Sequence, residues 1–210
     1  MLLALTLLAC PKPPVVTAAP VAANAPLPIT TSLFVPPARG YRWTEVTTGG
    51  DGVGGTRREI EQRWSGPNHT AQGTFWTITE GDAGGGPARE TMMVAWTPRG
   101  FEVHGTTIGQ RPFARFDPPY LVLPATPAAG DAWTGTHRVA DGTVVRSCTL
   151  APGSTCDGGL DAVCVTNRDD RSITLTTRYC PGVGFVGWES RVETAPGVGF
   201  SARADDVRAL

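Results

Sequence analysis

The chain has almost no net charge to direct it toward a polyelectrolyte. Its 18 lysine and arginine residues are offset by 19 aspartate and glutamate residues, giving a formal net charge of −1 at pH 7. No electrostatic argument therefore favours nucleic acid or an anionic membrane surface as a partner. We predict that the protein does not bind nucleic acid.

Motifs that would indicate an enzyme or a metal site are also missing. The sequence contains no Gly-x-Ser-x-Gly nucleophile elbow, no Cys-x-x-Cys redox pair and no His-Glu-x-x-His zinc motif. The three histidines, His69, His104 and His137, lie in separate strands or turns, and His104 falls on a polar strand face where we expect it to be solvated. A serine–histidine–aspartate set built from distant residues stays open, because such triads depend on geometry and not on spacing. We predict no enzymatic activity, no cofactor and no bound metal.

The apolar run that begins the chain is too short to cross a bilayer as a helix, which takes about 20 residues. It extends from Leu2 to Ala9 with one threonine, a length that suits the apolar region of a signal peptide. The run ends in Leu7-Leu8-Ala9-Cys10, which resembles the lipobox of bacterial lipoproteins.

That resemblance implies cleavage before Cys10, a diacylglycerol on its thiol and further acylation, such as palmitate, on the new amine. Several acyl chains anchor a protein firmly where one alone is marginal. The residue after the cysteine is Pro11 and not aspartate, which in Gram-negative lipoproteins favours sorting to the outer membrane. The membrane is thus one expected partner, and residues 1–9 form the signal segment.

A segment rich in proline and alanine follows, from Pro11 to about Pro37. It has one charged residue and neither helical nor strand periodicity, and such a chain is extended, at about 3 Å per residue. We therefore assign residues 10–39 to the lipidated cysteine and a tether. Residues 40–210 are enough for one domain with its own core.

From Tyr41 onward, short alternating runs are separated by turns. In residues 56–64, for example, Ile60 and Trp64 share one face and charged side chains take the other. Such patterns, recurring about every 8–12 residues, are typical of an antiparallel sandwich or barrel, and 26 glycines and 19 prolines supply the turns. We predict an all-β domain, a single antiparallel meander of about ten or eleven strands that forms a barrel, half-barrel or sandwich.

Two motifs in the second half of the chain resemble a recurring module of bacterial envelope proteins. Residues 130–133 read GDAW and residues 179–186 read YCPGVGFV, similar to the module's G-x-x-W and Y-x-P-G-V-G-x-V. The resemblance covers roughly residues 121–192. It implies β structure and an envelope location, and it implies no activity.

Four cysteines follow Cys10, and their even number in an exported chain favours disulfides. Their spacing is wider than that of zinc ligands, which usually come in pairs two to four residues apart. A hairpin formed by residues 144–150 and 160–165 would bring Cys148 near Cys164. Antiparallel pairing of the next strand would bring Cys180 near the loop that carries Cys156. We predict the disulfides Cys148–Cys164 and Cys156–Cys180.

The tryptophans mostly share a strand face with isoleucine, valine or methionine, so they are expected to form a β core. If the sheet curls without closing tightly, the same face becomes a cavity for an apolar ligand. The residues predicted to line that cavity are Trp76, Trp96, Trp133 and Trp188.

Three functions compete on this basis. The first is an outer-membrane lipoprotein whose β domain is a structural or accessory module that docks to another envelope protein, which predicts a filled interior and an exposed apolar patch. The second is a carrier for a lipid-like apolar ligand, which predicts a cavity. The third is an envelope hydrolase, which needs His104 or His137 beside a carboxylate and a nucleophile. We rank the three in that order.

Overall fold

Twelve antiparallel strands form a closed barrel in the computed structural model, which describes residues 34–35, 40–49, 55–139, 142–168, 171–195 and 198–210. Each strand pairs with its neighbours in sequence, and the last strand closes the barrel against the first. The predicted all-β meander is confirmed. In the described part of the chain the strands are β1 (Tyr41–Thr48), β2 (Gly55–Thr70), β3 (Gly73–Asp82), β4 (Glu90–Thr97), β5 (Gly100–Ile108), β6 (Ala114–Pro124), β7 (Ala132–Val139), β8 (Gly142–Pro152), β9 (Leu160–Arg168), β10 (Arg171–Cys180), β11 (Gly184–Ala195) and β12 (Val198–Ala209).

The period-two alternation decides which side chains enter the barrel. Trp43 on β1 lies opposite Ile60 on β2, and Trp64 on β2 lies opposite Ile78 on β3. Ile60, with no exposed surface, is a fully buried residue, as expected for an inward position. Because side chains of a strand point alternately to its two faces, the charged residues between these positions lie on the outside.

The ladder between β6 and β7 is the thinnest in the barrel. These two strands share a single register pair, whereas β6 pairs with β5 at several positions. Side chains of β7 supply further bonds across this seam. Trp133 Nε1 donates to the Leu121 carbonyl oxygen at 3.1 Å, and His137 Nδ1 lies 2.8 Å from the Pro118 carbonyl oxygen. Since a carbonyl oxygen can only accept, Nδ1 of this histidine carries the proton.

The two ends of the barrel differ. The end at which β1 begins is filled by a cluster of buried side chains, and Phe34 and Val35, from the predicted tether, are buried within it at 7% and 6% exposure. A second buried group, Tyr41, Trp43 and Ile60, packs against Phe185. The main cluster also contains Trp76, Ile78, Val94, Trp96, Phe101, Val103, Leu123, Leu150, Leu160, Ala162 and Tyr179.

Two disulfides cross-link the β8–β10 region. Cys148 and Cys164 are register partners on β8 and β9 with Cα atoms 4.1 Å apart, and Cys156 is joined to Cys180 over 6.1 Å. These are the two pairs that the hairpin argument predicts. No helix within the described residues is long and apolar enough to cross a membrane.

Candidate functional site

A cavity of about 620 Å³ opens at the end of the barrel opposite the filled core. The strands β6 to β10 and the β5–β6 loop form its wall. Its lining combines cationic, aromatic and aliphatic side chains: Arg111, Phe116, Tyr120, His137, Val144, Arg146, Thr166, Arg168, Arg171 and Ile173.

Strand alternation explains why these residues face one another. On β8, Val144 and Arg146 are two positions apart and therefore on the same face as the buried Cys148. In the neighbouring ladders, Thr166 on β9 lies opposite both Arg146 on β8 and Ile173 on β10. An arginine therefore stands at an inward position where this strand otherwise carries apolar side chains.

The arginines of the cavity differ from those elsewhere on the barrel in their partners. Arg178, for example, pairs with Glu189 at 3.3 Å on the outside. Among the described residues, Arg111, Arg146 and Arg171 form no ion pair with a carboxylate, and none of the cavity's described lining residues is acidic. A concave surface with several cations and low-dielectric walls focuses a positive potential.

Arg146 is partly buried within the cavity. Its guanidinium carbon lies 4.7 Å from the centroid of the Tyr120 ring, within the range of a cation–π contact. Its Nε is buried without a hydrogen-bond partner in the described structure. Burial raises the pKa of the Tyr120 phenol, and the nearby charge of Arg146 opposes that rise. A buried donor without a partner is unfavourable.

His137 is held in place and uncharged. Burial lowers its pKa below the usual 6.5, an effect that the bond to Pro118 opposes and the charge of Arg146 reinforces, so the ring is neutral at pH 7. The imidazole lies over Gly135, where a Cβ would come within 2.5 Å of Nε2. Because residue 135 is a glycine, the ring of His137 can lie flat on its own strand.

An acidic cluster occupies the opposite wall of the same end. Glu80 on β3 lies directly opposite Glu90 on β4, and the charge of Glu45 on β1 also acts on Glu80. Arg89 Nη1 lies 3.1 Å from Glu45 Oε1, and Thr106 Oγ1 donates to Glu90 Oε1 at 2.8 Å. Burial, with the charge of Glu90, raises the pKa of Glu80 to about 7. The open end is therefore acidic on β1–β4 and basic on β6–β10.

The four tryptophans predicted to line a cavity lie elsewhere. Trp76 and Trp96 pack edge to face in the filled end, with ring centroids 4.6 Å apart. Trp133 packs against the same cluster, and Trp188 is half-buried on β11. None of the four is among the residues that line the described cavity. Cys10, the predicted lipidation site, lies outside the described residues.

The expected solvation of His104 is wrong. Its side chain is 16% exposed, beneath the ring of Phe75 at 4.9 Å and 3.8 Å from Glu102 Oε2. Burial lowers its pKa to about 4, so the pair with Glu102 is not an ion pair at neutral pH. A β-bulge in the β4–β5 ladder turns this segment so that neighbouring side chains cover it. His104 therefore lies on the outer face, apart from His137 inside.

The cavity is lined by a mixture of cationic and apolar side chains, which neither the expected apolar lining nor a catalytic motif predicts. The available signal was an arginine at an inward position: residues 144, 146, 148 and 150 alternate as Val, Arg, Cys and Leu. A charged residue within an otherwise apolar strand face is costly unless something pairs with it. Such a residue is therefore a better indicator of a site than the tryptophans.

The fold and site together define a closed twelve-stranded barrel with a basic cavity at one end of its described part. No family model and no curated protein matches the chain. Among solved structures, a crystal structure named as a "putative lipoprotein" from Parabacteroides distasonis ATCC 8503 is 10% identical, with a TM-score of 0.37 over 84% of this chain and 98% of that one. A TM-score this low carries no argument about the present chain.

Proposed function

We propose that the protein is an envelope lipoprotein whose barrel binds a small ligand, without catalysis, in the cavity at its open end. The observation that carries this proposal is the cavity itself, whose volume of about 620 Å³ is within the range of sites for small molecules. Its mixture of apolar and a few convergent polar groups is also typical of such sites. A barrel filled at both ends would instead favour the structural or accessory module.

Attachment through Cys10 to the outer membrane is part of the proposal. The described chain enters the barrel at the filled end, where Phe34 and Val35 are buried and Gly40 accepts a hydrogen bond from the amide of Leu210 at 2.9 Å. The cavity opens at the opposite end. A tether joined to the filled end leaves the mouth of the cavity accessible to a ligand, which supports a binding role.

Binding is preferred to catalysis because of the state of His137. Its Nδ1 donates its proton to the Pro118 carbonyl oxygen. Its Nε2 lies close above Gly135, where an added Cβ would meet it. Neither nitrogen is therefore directed to a nucleophile in the described structure. General base catalysis needs the base within hydrogen-bond reach of the proton that it removes. We therefore propose that His137 links β7 to β6 through this hydrogen bond and does not act as a general base.

Native mass spectrometry of the full-length protein, purified from cell envelopes in mild detergent, tests the binding role. We expect an added mass that disappears on denaturation, unlike covalent acyl groups. Val144→Trp should abolish it by filling the cavity. Val145→Trp is the matched control, because Val145 is the next residue of β8, is 37% exposed and is not among the cavity-lining residues.

The two variants separate the competing functions. Loss of the added mass in Val144→Trp alone would support a ligand in this cavity. A protein that carries no added mass even without substitutions would contradict the binding role and favour the accessory module.

A further inference from the structure

Resting on the proposed function, we infer that the ligand is an amphipathic organic anion, with a carboxylate or phosphate head bound at Arg146 and an apolar body against Phe116, Tyr120 and Ile173. This goes beyond the expectation of a purely apolar ligand. It follows from the charge of the cavity, the geometry of Arg146 and the apolar surface beside it.

The charge of the cavity selects an anion. Three of its guanidinium groups, those of Arg111, Arg146 and Arg171, have no carboxylate partner among the described residues. By contrast, Arg89 on the acidic wall is paired with Glu45 at 3.1 Å. Arg111 and Arg171 are exposed, whereas Arg146 is partly buried. Buried charges are normally paired, so an anionic ligand would supply the charge that Arg146 lacks. A cationic ligand would be repelled at the same place.

The geometry of Arg146 favours an oxyanion. The guanidinium carbon of Arg146 lies 4.7 Å from the centroid of the Tyr120 ring, a contact that limits where this group can lie, and its Nε has no hydrogen-bond partner among the described residues. A planar guanidinium binds carboxylates and phosphates through two parallel N–H···O bonds, and fixing its orientation beforehand reduces the entropy lost on binding. A carboxylate or phosphate head in the cavity would pair with the guanidinium of Arg146.

The rest of the lining requires an organic body on that anion. Phe116, Tyr120, Val144 and Ile173 make up the apolar part of the wall. Ile173 faces inward and is nevertheless 39% exposed. Phe200, which faces inward two strands away, is 49% exposed. Covering such apolar surface is favourable, a gain that a bare inorganic ion cannot provide.

The acidic wall sets the orientation of the ligand. Glu80 and Glu90 lie on β3 and β4, across the open end from β8–β10, and the charge of Glu90 acts on Tyr120 in the cavity. Like charges repel, so the anionic head should lie on the β8–β10 side.

Titration calorimetry with matched probes tests the inference. The protein is the full chain with Cys10→Ala, so that no acyl group competes for the cavity. The probes are octyl phosphate, octanoate, octan-1-ol and inorganic phosphate. We expect one or both of the organic anions to bind at least about ten-fold more tightly than octan-1-ol and inorganic phosphate. The difference between octyl phosphate and octanoate identifies the head group.

Substitution of Arg146 tests its assigned role. Arg146→Gln should weaken binding of the organic anions by about ten- to a hundred-fold, the range for hydrogen bonds to charged groups, and leave octan-1-ol unaffected. Arg146→Lys, which keeps the charge without the planar fork, should lie in between. Arg138→Gln is the matched control, since Arg138 lies outside on β7 and is 79% exposed.

A stability measurement separates this role from a structural one. Because Arg146→Gln removes an enclosed charge without a carboxylate partner, the variant without ligand should melt at the same temperature as the parent or higher. A lower melting temperature together with unchanged anion affinity would overturn the inference.

Other outcomes distinguish the anionic class of the ligand from the binding role itself. If octan-1-ol binds as tightly as octyl phosphate, and Val144→Trp abolishes both, the binding role holds and the anionic class is wrong. If no probe binds and native mass spectrometry finds no added mass, both are wrong.

Discussion

Replacing Glu80 by glutamine should stabilise the barrel at alkaline pH and have little effect at acidic pH. Glu80 lies inside the open end, opposite Glu90 and near Glu45. Burial, reinforced by the charge of Glu90 and opposed by Arg89, raises its pKa from 4.5 to about 7. Above pH 7 the folded protein therefore contains an ionised carboxylate that its surroundings disfavour.

The pKa of this one group sets the sign and size of the effect. Its folded-state pKa is raised, so its contribution to stability is fully present below pH 4.5 and is lost as the pH rises through about 7. A rise from 4.5 to about 7 corresponds to about 3 kcal/mol in the free energy of unfolding. Glutamine is neutral at every pH, so Glu80→Gln escapes this loss. Between pH 5 and pH 8, the variant should gain about 2–3 kcal/mol relative to the parent protein.

Urea unfolding followed by tryptophan fluorescence, with the disulfides intact, measures this difference at pH 5 and pH 8. Other carboxyl groups titrate in both proteins, so their contributions cancel in the comparison. Glu59→Gln is the matched control, since Glu59 lies on the outside of β2 and is 59% exposed. It should show no such change. If the free-energy difference between Glu80→Gln and the parent is the same at both pH values, the assignment of Glu80 as a buried, repelled carboxylate is wrong.

Two further predictions concern the anchor and the β6–β7 seam. Cys10→Ala should abolish incorporation of labelled fatty acid and release the protein from the membrane fraction, while the barrel still folds. Labelling that persists in this variant would refute the lipobox interpretation. Gly135→Ala should displace the His137 ring, which the new Cβ would approach to 2.5 Å, and lower the free energy of unfolding by about 1–3 kcal/mol. Gly187→Ala is its control, because the nearest atom to an added Cβ there is 3.9 Å away. If both variants lose the same free energy of unfolding in urea, the contact between Gly135 and His137 is not the cause.

The parts of the structure that the sequence predicted are local ones. The alternation around Ile60 and Trp64 correctly places both inside, because strand geometry fixes the face of every second residue. The cysteine pairs follow from the register of adjacent strands: Cys148 and Cys164 are direct partners in the β8–β9 ladder. The twelve observed strands exceed the predicted number slightly.

The parts that it did not predict depend on neighbours distant in the chain. The polar pattern around His104 predicts solvent, whereas a β-bulge and the ring of Phe75 cover it. The tryptophans share apolar faces as expected, but Trp76 and Trp96 lie at the end where Phe34 and Val35 complete the core. The cavity is at the other end, and the apolar alternation of the tryptophan strands is the same whether the end that they face is filled or open.

The class of fold, the faces of the strands and the two cysteine pairs follow from the amino-acid sequence, because each depends on a period of two residues or on the turn between adjacent strands. The pairing of β12 with β1, and the difference between the filled end and the open end, are visible only in the folded barrel. It also brought Arg146 of β8 and Arg171 of β10 onto one wall and Glu80 onto another. Closure of the barrel brings together residues that are far apart in the chain, so the electrostatic interactions between them exist only once the barrel has formed.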